Sequence, residues 1–167
     1  MLSTLAALSA TVTLALSGAM AGLFFAFSVS VMPGLDGIAA DQAIRAMRSI
    51  NRKILNPVFF VAFVGAPVAA AVTGGLLLWL DQTAAAVVSF LAAAAYVLGA
   101  FVPTVVVNVP LNEALDAAEV PTDPHDAARR WTDYSGRWTR WNTLRAAFST
   151  VSLLLVGLAI FVWGRQG

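Results

Sequence analysis

The chain has no cysteine and a single histidine, His125. Without cysteine there is no disulfide, no thiolate metal site and no thiol redox chemistry. One histidine excludes a haem held by two imidazoles, and any multi-histidine metal site within one chain. His125 itself falls in Asp123-Pro124-His125, a sequence suited to a solvated turn. Charge is scarce as well. Only 11% of residues are charged, against roughly a quarter in soluble domains. A net charge of +1 gives no electrostatic footprint for nucleic acid.

The charges that exist are clustered, and long apolar runs fill the gaps. No charged residue occurs from Met1 to Leu35, between Lys53 and Asp81, between Asp81 and Glu113, or between Arg145 and Arg165. A spanning helix needs about 20 apolar residues, and each window holds about that many or more. The first window lacks the positive n-region of a signal peptide, and its apolar stretch is too long for one. It reads as a retained first span. The expected fold is all-α: a four-transmembrane-helix bundle, one membrane domain over 1–167, with spans near 5–32, 54–80, 84–109 and 143–163.

The connections carry their own signals. Met32-Pro33-Gly34 is expected to end the first helix, because proline cannot continue the hydrogen-bond ladder. Between spans one and two, Ile44, Met47, Ile50 and Leu55 recur at near-helical spacing, with Arg45, Arg48 and Arg52 largely on another face. This predicts an amphipathic interfacial helix starting near Asp41, a candidate N-cap. Pro103 and Pro110 predict a kink late in span three. The last helix is expected to begin near Asp126, as a cytoplasmic extension ahead of span four. Nine of the ten Lys and Arg residues lie in or beside the two large connecting segments, and Arg165 alone lies opposite. The positive-inside rule then places both loops in the cytoplasm and both termini outside, in a multi-pass protein of the cell membrane. Gly18 and Gly22 form a small-xxx-small pattern that permits close helix approach. Packing within the bundle, a homo-oligomer and a larger membrane complex all stay open as its use.

Polar residues near the hydrocarbon need partners, so the asparagines are informative. Asn51 and Asn56 flank the entry to span two, Asn108 and Asn112 flank the exit from span three, and Asn142 begins span four. The topology puts all five at one end. Trp131, Tyr134, Trp138, Trp141, Asn142 and Arg145 recur at spacings of three and four, one stripe of a helix. Arg145 lies deepest, and an arginine inside the membrane is by default a candidate functional residue. With Asn108, Asn112 and Asn142 it offers donors for an oxyanion, and tryptophans offer flat walls for an aromatic ligand. The competing reading is structural. Trp and Tyr gather at membrane interfaces in any protein, arginine snorkels, and asparagines cap helices.

Four stretches resemble the anthrone oxygenase-like family of small membrane proteins. They are Phe24-Phe-Ala-Phe27 with Val31-Met-Pro-Gly-Leu35, Ile50-Asn-Arg-Lys-Ile-Leu-Asn-Pro57, Asn108-Val-Pro-Leu-Asn112 and Trp138-Thr-Arg-Trp-Asn-Thr-Leu-Arg145. The resemblance implies a four-helix membrane fold and an oxygenase that converts anthrones to anthraquinones with molecular oxygen, with no metal or other cofactor required. On that reading Arg145 stabilises the substrate anion, Asn108, Asn112 and Asn142 orient its oxygens, and Trp138 and Trp141 stack on its rings. Asn51, Asn56 and Tyr134 complete the expected substrate contacts. The stripe contains no carboxylate or histidine to act as general base, and Tyr134 and Asp133 are weak substitutes. The alternatives are a non-catalytic membrane subunit, scaffold or lipid-binding protein, and an exporter of hydrophobic molecules. The absence of charge in mid-membrane argues against ion coupling.

Overall fold

A computed structural model describes residues 1–165. It contains five helical elements and, among the described residues, no strand. They are α1 (Leu2–Asp36), α2 (Ala40–Ile54), α3 (Pro57–Trp79), α4 (Thr83–Ala117) and α5 (Pro124–Gly164). All but α2 are long and apolar enough to cross a membrane. An open chain in lipid must satisfy its backbone polar groups within each segment, which only a helix does. The molecule is a multi-pass membrane protein built as an all-α bundle.

α5 packs against both α1 and α4, α1 packs against α3, and α3 against the first part of α4. The four spans therefore close a ring. At one end Ser9 Oγ and Thr73 Oγ1 share a hydrogen bond of 2.8 Å between α1 and α3, and Leu77, Ala85 and Ala86 pack with Val162 and Trp163. The turn from α3 to α4 at this end passes through Asp81, the only non-glycine residue with positive φ among those described (58°). At the other end lie both basic segments. Arg52 pairs with Asp116 at 2.8 Å, and Arg48 donates to the carbonyl oxygens of Leu115 and Ala118, capping the end of α4. The amphipathic helix α2 turns its apolar face, Ala43, Ile44 and Met47, onto Leu115 and the aromatic residues at the start of α5. Its N-cap is Ala39, and Asp41 sits inside the first turn, where a carboxylate complements the helix dipole. Asp123 caps α5, accepting from the backbone N–H groups of His125 (2.9 Å) and Asp126 (3.0 Å), so His125 belongs to that helix start.

Proline behaves differently from the expectation at Pro33. α1 does not stop there but runs on to Asp36. The reason repeats three times in the molecule. Phe27–Val31, Val97–Phe101 and Thr104–Asn108 are π-helical, and each ends two residues before a proline: Pro33, Pro103 and Pro110. A proline ring clashes with the carbonyl four residues earlier and cannot donate to it. Those carbonyls belong to Val29, Gly99 and Val106, the middle residue of each segment. Widening the turn moves the carbonyl aside, so the helix continues where a break was expected. Single π turns of this kind are frequent at functional sites, and here all three lie in the basic half of the bundle.

Gly99 also lets α4 lie close against α5. A Cβ there would collide with Cβ and the ring of Phe148, and the former cannot swing away. Gly99→Ala is expected to cost about 1–3 kcal/mol by forcing the helices apart, read as a lower midpoint of thermal unfolding in detergent.

Candidate functional site

In the basic half of the bundle α5 turns a continuous polar and aromatic face inward. Trp138, Asn142 and Arg145 are buried, and they face Phe24 and Phe27 on α1 and Thr104 and Asn108 on α4 across a small chamber of about 80 Å³. The end of α2 and the start of α3 close the remaining side with Ile50, Asn51 and Phe59.

Arg145 is 5% exposed. Nη1 donates to Thr104 Oγ1 at 3.0 Å and Nη2 to Asn142 Oδ1 at 2.8 Å. The guanidinium carbon lies 4.5 Å from the ring centroid of Phe24 and 5.2 Å from that of Trp138, within cation–π range. Neither ion pair found among the described residues involves Arg145. A buried cation without a counter-ion is costly, and cation–π contacts offset only part of that cost. Its Nε also lacks a hydrogen-bond partner within the protein.

Asn142 holds the arginine in place. Its Nδ2 donates to the carbonyl oxygen of Phe24 and to Ser28 Oγ, both at 2.7 Å, while Oδ1 receives the guanidinium. The π segment of α1 brings Ser28 to this amide. Asn108, 1% exposed, donates from Nδ2 to the Trp138 carbonyl at 3.2 Å. That bond fixes the amide orientation and leaves Oδ1 buried without a donor. Asn51 Nδ2 is likewise buried and unpartnered. Asn112 Oδ1 accepts from both Tyr134 Oη and Trp138 Nε1 at 2.8 Å, locking the aromatic stripe.

The expected site residues thus separate into three groups. Arg145, Asn108, Asn142, Trp138, Asn51 and Asn112 line the chamber. Tyr134 stands behind it, buried against Trp131 and Trp138. Trp141 and Asn56 lie elsewhere. Trp141 falls about 60° round the helix from Trp138, is 37% exposed, and joins Arg137, Arg140 and Leu144 on the outer surface. Asn56 is the N-cap of α3: Oδ1 accepts from Phe59 N at 3.1 Å, and Nδ2 donates to the Lys53 carbonyl at 2.9 Å. Asn56→Ala is expected to cost about 1 kcal/mol of stability. A lower midpoint of thermal unfolding in detergent checks it.

Sequence reasoning overlooked Thr104, Phe24 and Phe27. Thr104 stands four residues before Asn108, so helical periodicity carried a signal for it. Phe24 and Phe27 lay inside a stretch that marked the family resemblance, without a chemical reason attached.

A family model described as anthrone oxygenase matches residues 58–155. The chain belongs to the anthrone oxygenase family. The matched region contains Thr104, Asn108, Asn112, Trp138, Asn142 and Arg145, and leaves out the α1 wall and Asn51. No curated protein and no solved structure matches the chain.

Proposed function

We propose that this family member binds a lipophilic aromatic molecule, anthrone- or quinol-like, in the chamber around Arg145, and oxidises it with molecular oxygen without a cofactor. The observation that carries the reading is the buried, unpaired guanidinium, with Asn51 Nδ2 and Asn108 Oδ1 also lacking partners around the same chamber. Such a set suits a ligand that presents an oxyanion to Arg145 and a hydroxyl donor to Asn108. Trp138 and the two phenylalanines supply aromatic walls. Asn142 acts as a positioning residue, since both its amide N–H groups are used within the protein.

The chemistry asks little of the protein. An anthrone carries an acidic CH₂ between two aromatic rings. Loss of its proton gives an enolate that reduces oxygen, and the CH₂ becomes a carbonyl as one oxygen atom enters the product and the other leaves as water. Arg145 stabilises the enolate oxygen, and the apolar walls exclude solvent. The chamber alone is smaller than the 300–1,000 Å³ usual for ligand sites. Asn51 and Asn112 also line an outer groove of about 350 Å³, and in this proposal the ligand's body lies there. In this proposal residues 1–167 work as one domain in the cytoplasmic membrane, with the basic end inside and both termini outside. Oxygen uptake by purified protein in nanodiscs, with a panel of anthrones and quinols, tests it. Stimulated uptake with at least one compound is expected, and none with any compound would overturn it.

A second reading is binding without turnover, as a lipid-binding protein or a subunit of a larger complex. It is favoured by the chamber lining, in which Arg145 is the only titratable side chain and no carboxylate or imidazole stands ready to take a proton. Native mass spectrometry that finds a retained lipid or protein partner, together with no oxygen uptake, would support it.

A further inference from the structure

We infer that the chamber is loaded sideways from the bilayer leaflet, through a slot between Leu55 and Val109, and that its ligand is a membrane-dissolved weak acid whose ionisable oxygen enters first. This rests on the reading of the chamber as a ligand site. It adds the route and the physical class of the ligand.

The first observation is where the ring of spans is tight and where it opens. α3 packs closely along Thr83–Tyr96 but not along the later part of α4, from Val97 to Ala117. Phe63, itself stacked on Phe59 at 5.2 Å, reaches across to Phe101 of α4 at 5.0 Å. Below this stack, toward the basic end, Ile54, Leu55 and Val109 line both the chamber and the outer groove. The two cavities thus lie on opposite sides of the same few side chains, and the inferred route runs between them at this seam.

The second observation is the character of the surface around the opening. Leu55 is 61% exposed. Val58 and Val61 on α3, and Val105 and Val106 on α4, are also exposed. An apolar surface of this kind faces hydrocarbon in a membrane protein. The exposed Arg52–Asp116 pair and Glu113 lie on the outer groove and mark where the apolar slot gives way to the polar interface. A ligand arriving from lipid thus meets apolar side chains first and the buried Arg145 last. That order selects an apolar body carrying one acidic oxygen.

The third observation is the mechanical weakness of the slot's near side. α2 ends at Ile54 and α3 begins at Pro57. Leu55 lies between them at φ −75° and ψ 67°, held by an Asn56 N–H donating to the Ile54 carbonyl at 2.8 Å. This is an inverse γ-turn, so Leu55 can swing without breaking a helical ladder.

The absence of cysteine makes the test clean. A single thiol is introduced by Asn108→Cys and the protein is placed in sealed vesicles. Labelling by a long-chain maleimide dissolved in the bilayer is compared with labelling by a charged, membrane-impermeant maleimide presented on both sides. The bilayer reagent is expected to react at least tenfold faster, and adding Leu55→Trp should slow it about tenfold. Should loss of the Asn108 amide unfold the protein, Thr104→Cys supplies a thiol in the same chamber. Faster labelling from water, no effect of Leu55→Trp, or no labelling by either reagent would each overturn the route. Anthrone binding to the parent protein, with Asn108 and Thr104 intact, tests the site reading separately. Bilayer labelling that is slowed by Leu55→Trp, with no anthrone binding to the parent protein, keeps the route and removes anthrones as the ligand.

Discussion

Arg145→Met is expected to lower anthrone-dependent oxygen consumption by about 10²–10³-fold, the usual cost of removing a donor aimed at developing negative charge. The charge is isolated. Arg145 has no carboxylate partner among the described residues, and its contacts are two neutral oxygens and two aromatic faces. A cation kept solely for structure would be expected to have a counter-ion or a path to headgroups. Methionine fills similar space without the charge, and removing a cation that has no counter-ion also removes its desolvation cost, which offsets the loss of its bonds to Thr104 and Asn142. The folded protein should therefore survive, with an unfolding midpoint unchanged or raised. Arg145→Lys should not restore activity, because a single ammonium cannot reproduce the fork that spans Thr104 and Asn142. Steady-state oxygen uptake and thermal unfolding on the same preparations decide the matter. Activity within threefold of the parent would remove Arg145 from the mechanism.

The largest stability loss is expected from Asn142→Leu, about 3 kcal/mol. The amide ties α1 to α5 at the Phe24 carbonyl and Ser28, and it anchors the guanidinium. Single interhelical hydrogen bonds in membranes average only about 0.6 kcal/mol, so two of them would not reach that figure. The third bond makes the difference, because its loss leaves Arg145 with one fewer partner in a buried site. The unfolding midpoint should fall by about 6–12 °C for a chain of this size. The double variant Asn142→Leu/Arg145→Met should recover much of the loss, because the uncompensated charge is gone. Additive losses in the double variant would show that the amide acts on α1 alone. This pair also separates the two residues' roles. On the proposed function Asn142 positions and Arg145 touches the ligand, so the Asn142 variant should lose activity in proportion to the fraction of arginine misplaced.

The structure also shows which features of the sequence were legible. Four charge-free windows were enough for four spans, because lipid admits only segments that satisfy their own backbone. The clustering of Arg45, Arg48, Arg52 and Lys53 with the basic residues of the second segment put both connections at one end, and Arg52–Asp116 joins them there. Asn108 and Arg145 were legible as site candidates because a polar side chain in an apolar window needs a partner. Trp141 lies outside the chamber because spacing places a residue on a stripe only to within about half a turn, and the edge of a stripe is buried or bare depending on the neighbouring helix. Asn56 misled because an asparagine before Pro57 reads equally as a cap or as a ligand contact. Pro33 misled because the rule for prolines in helices assumes an α-helical turn ahead of them, and here that turn is π-helical.

The sequence by itself determined the number of spans, the end at which the charges gather, and the presence of one arginine just inside the edge of a span. These follow from transfer free energies along the chain and need no knowledge of neighbours. Only the tertiary structure decided that Arg145 has no counter-ion among the described residues, that Asn142 clamps it, and that α3 parts from the later half of α4 beside the chamber. Those depend on which side chains from distant helices meet, and on where two helices part. Local periodicity carries neither, because it fixes a residue's direction from its own axis and not what stands opposite.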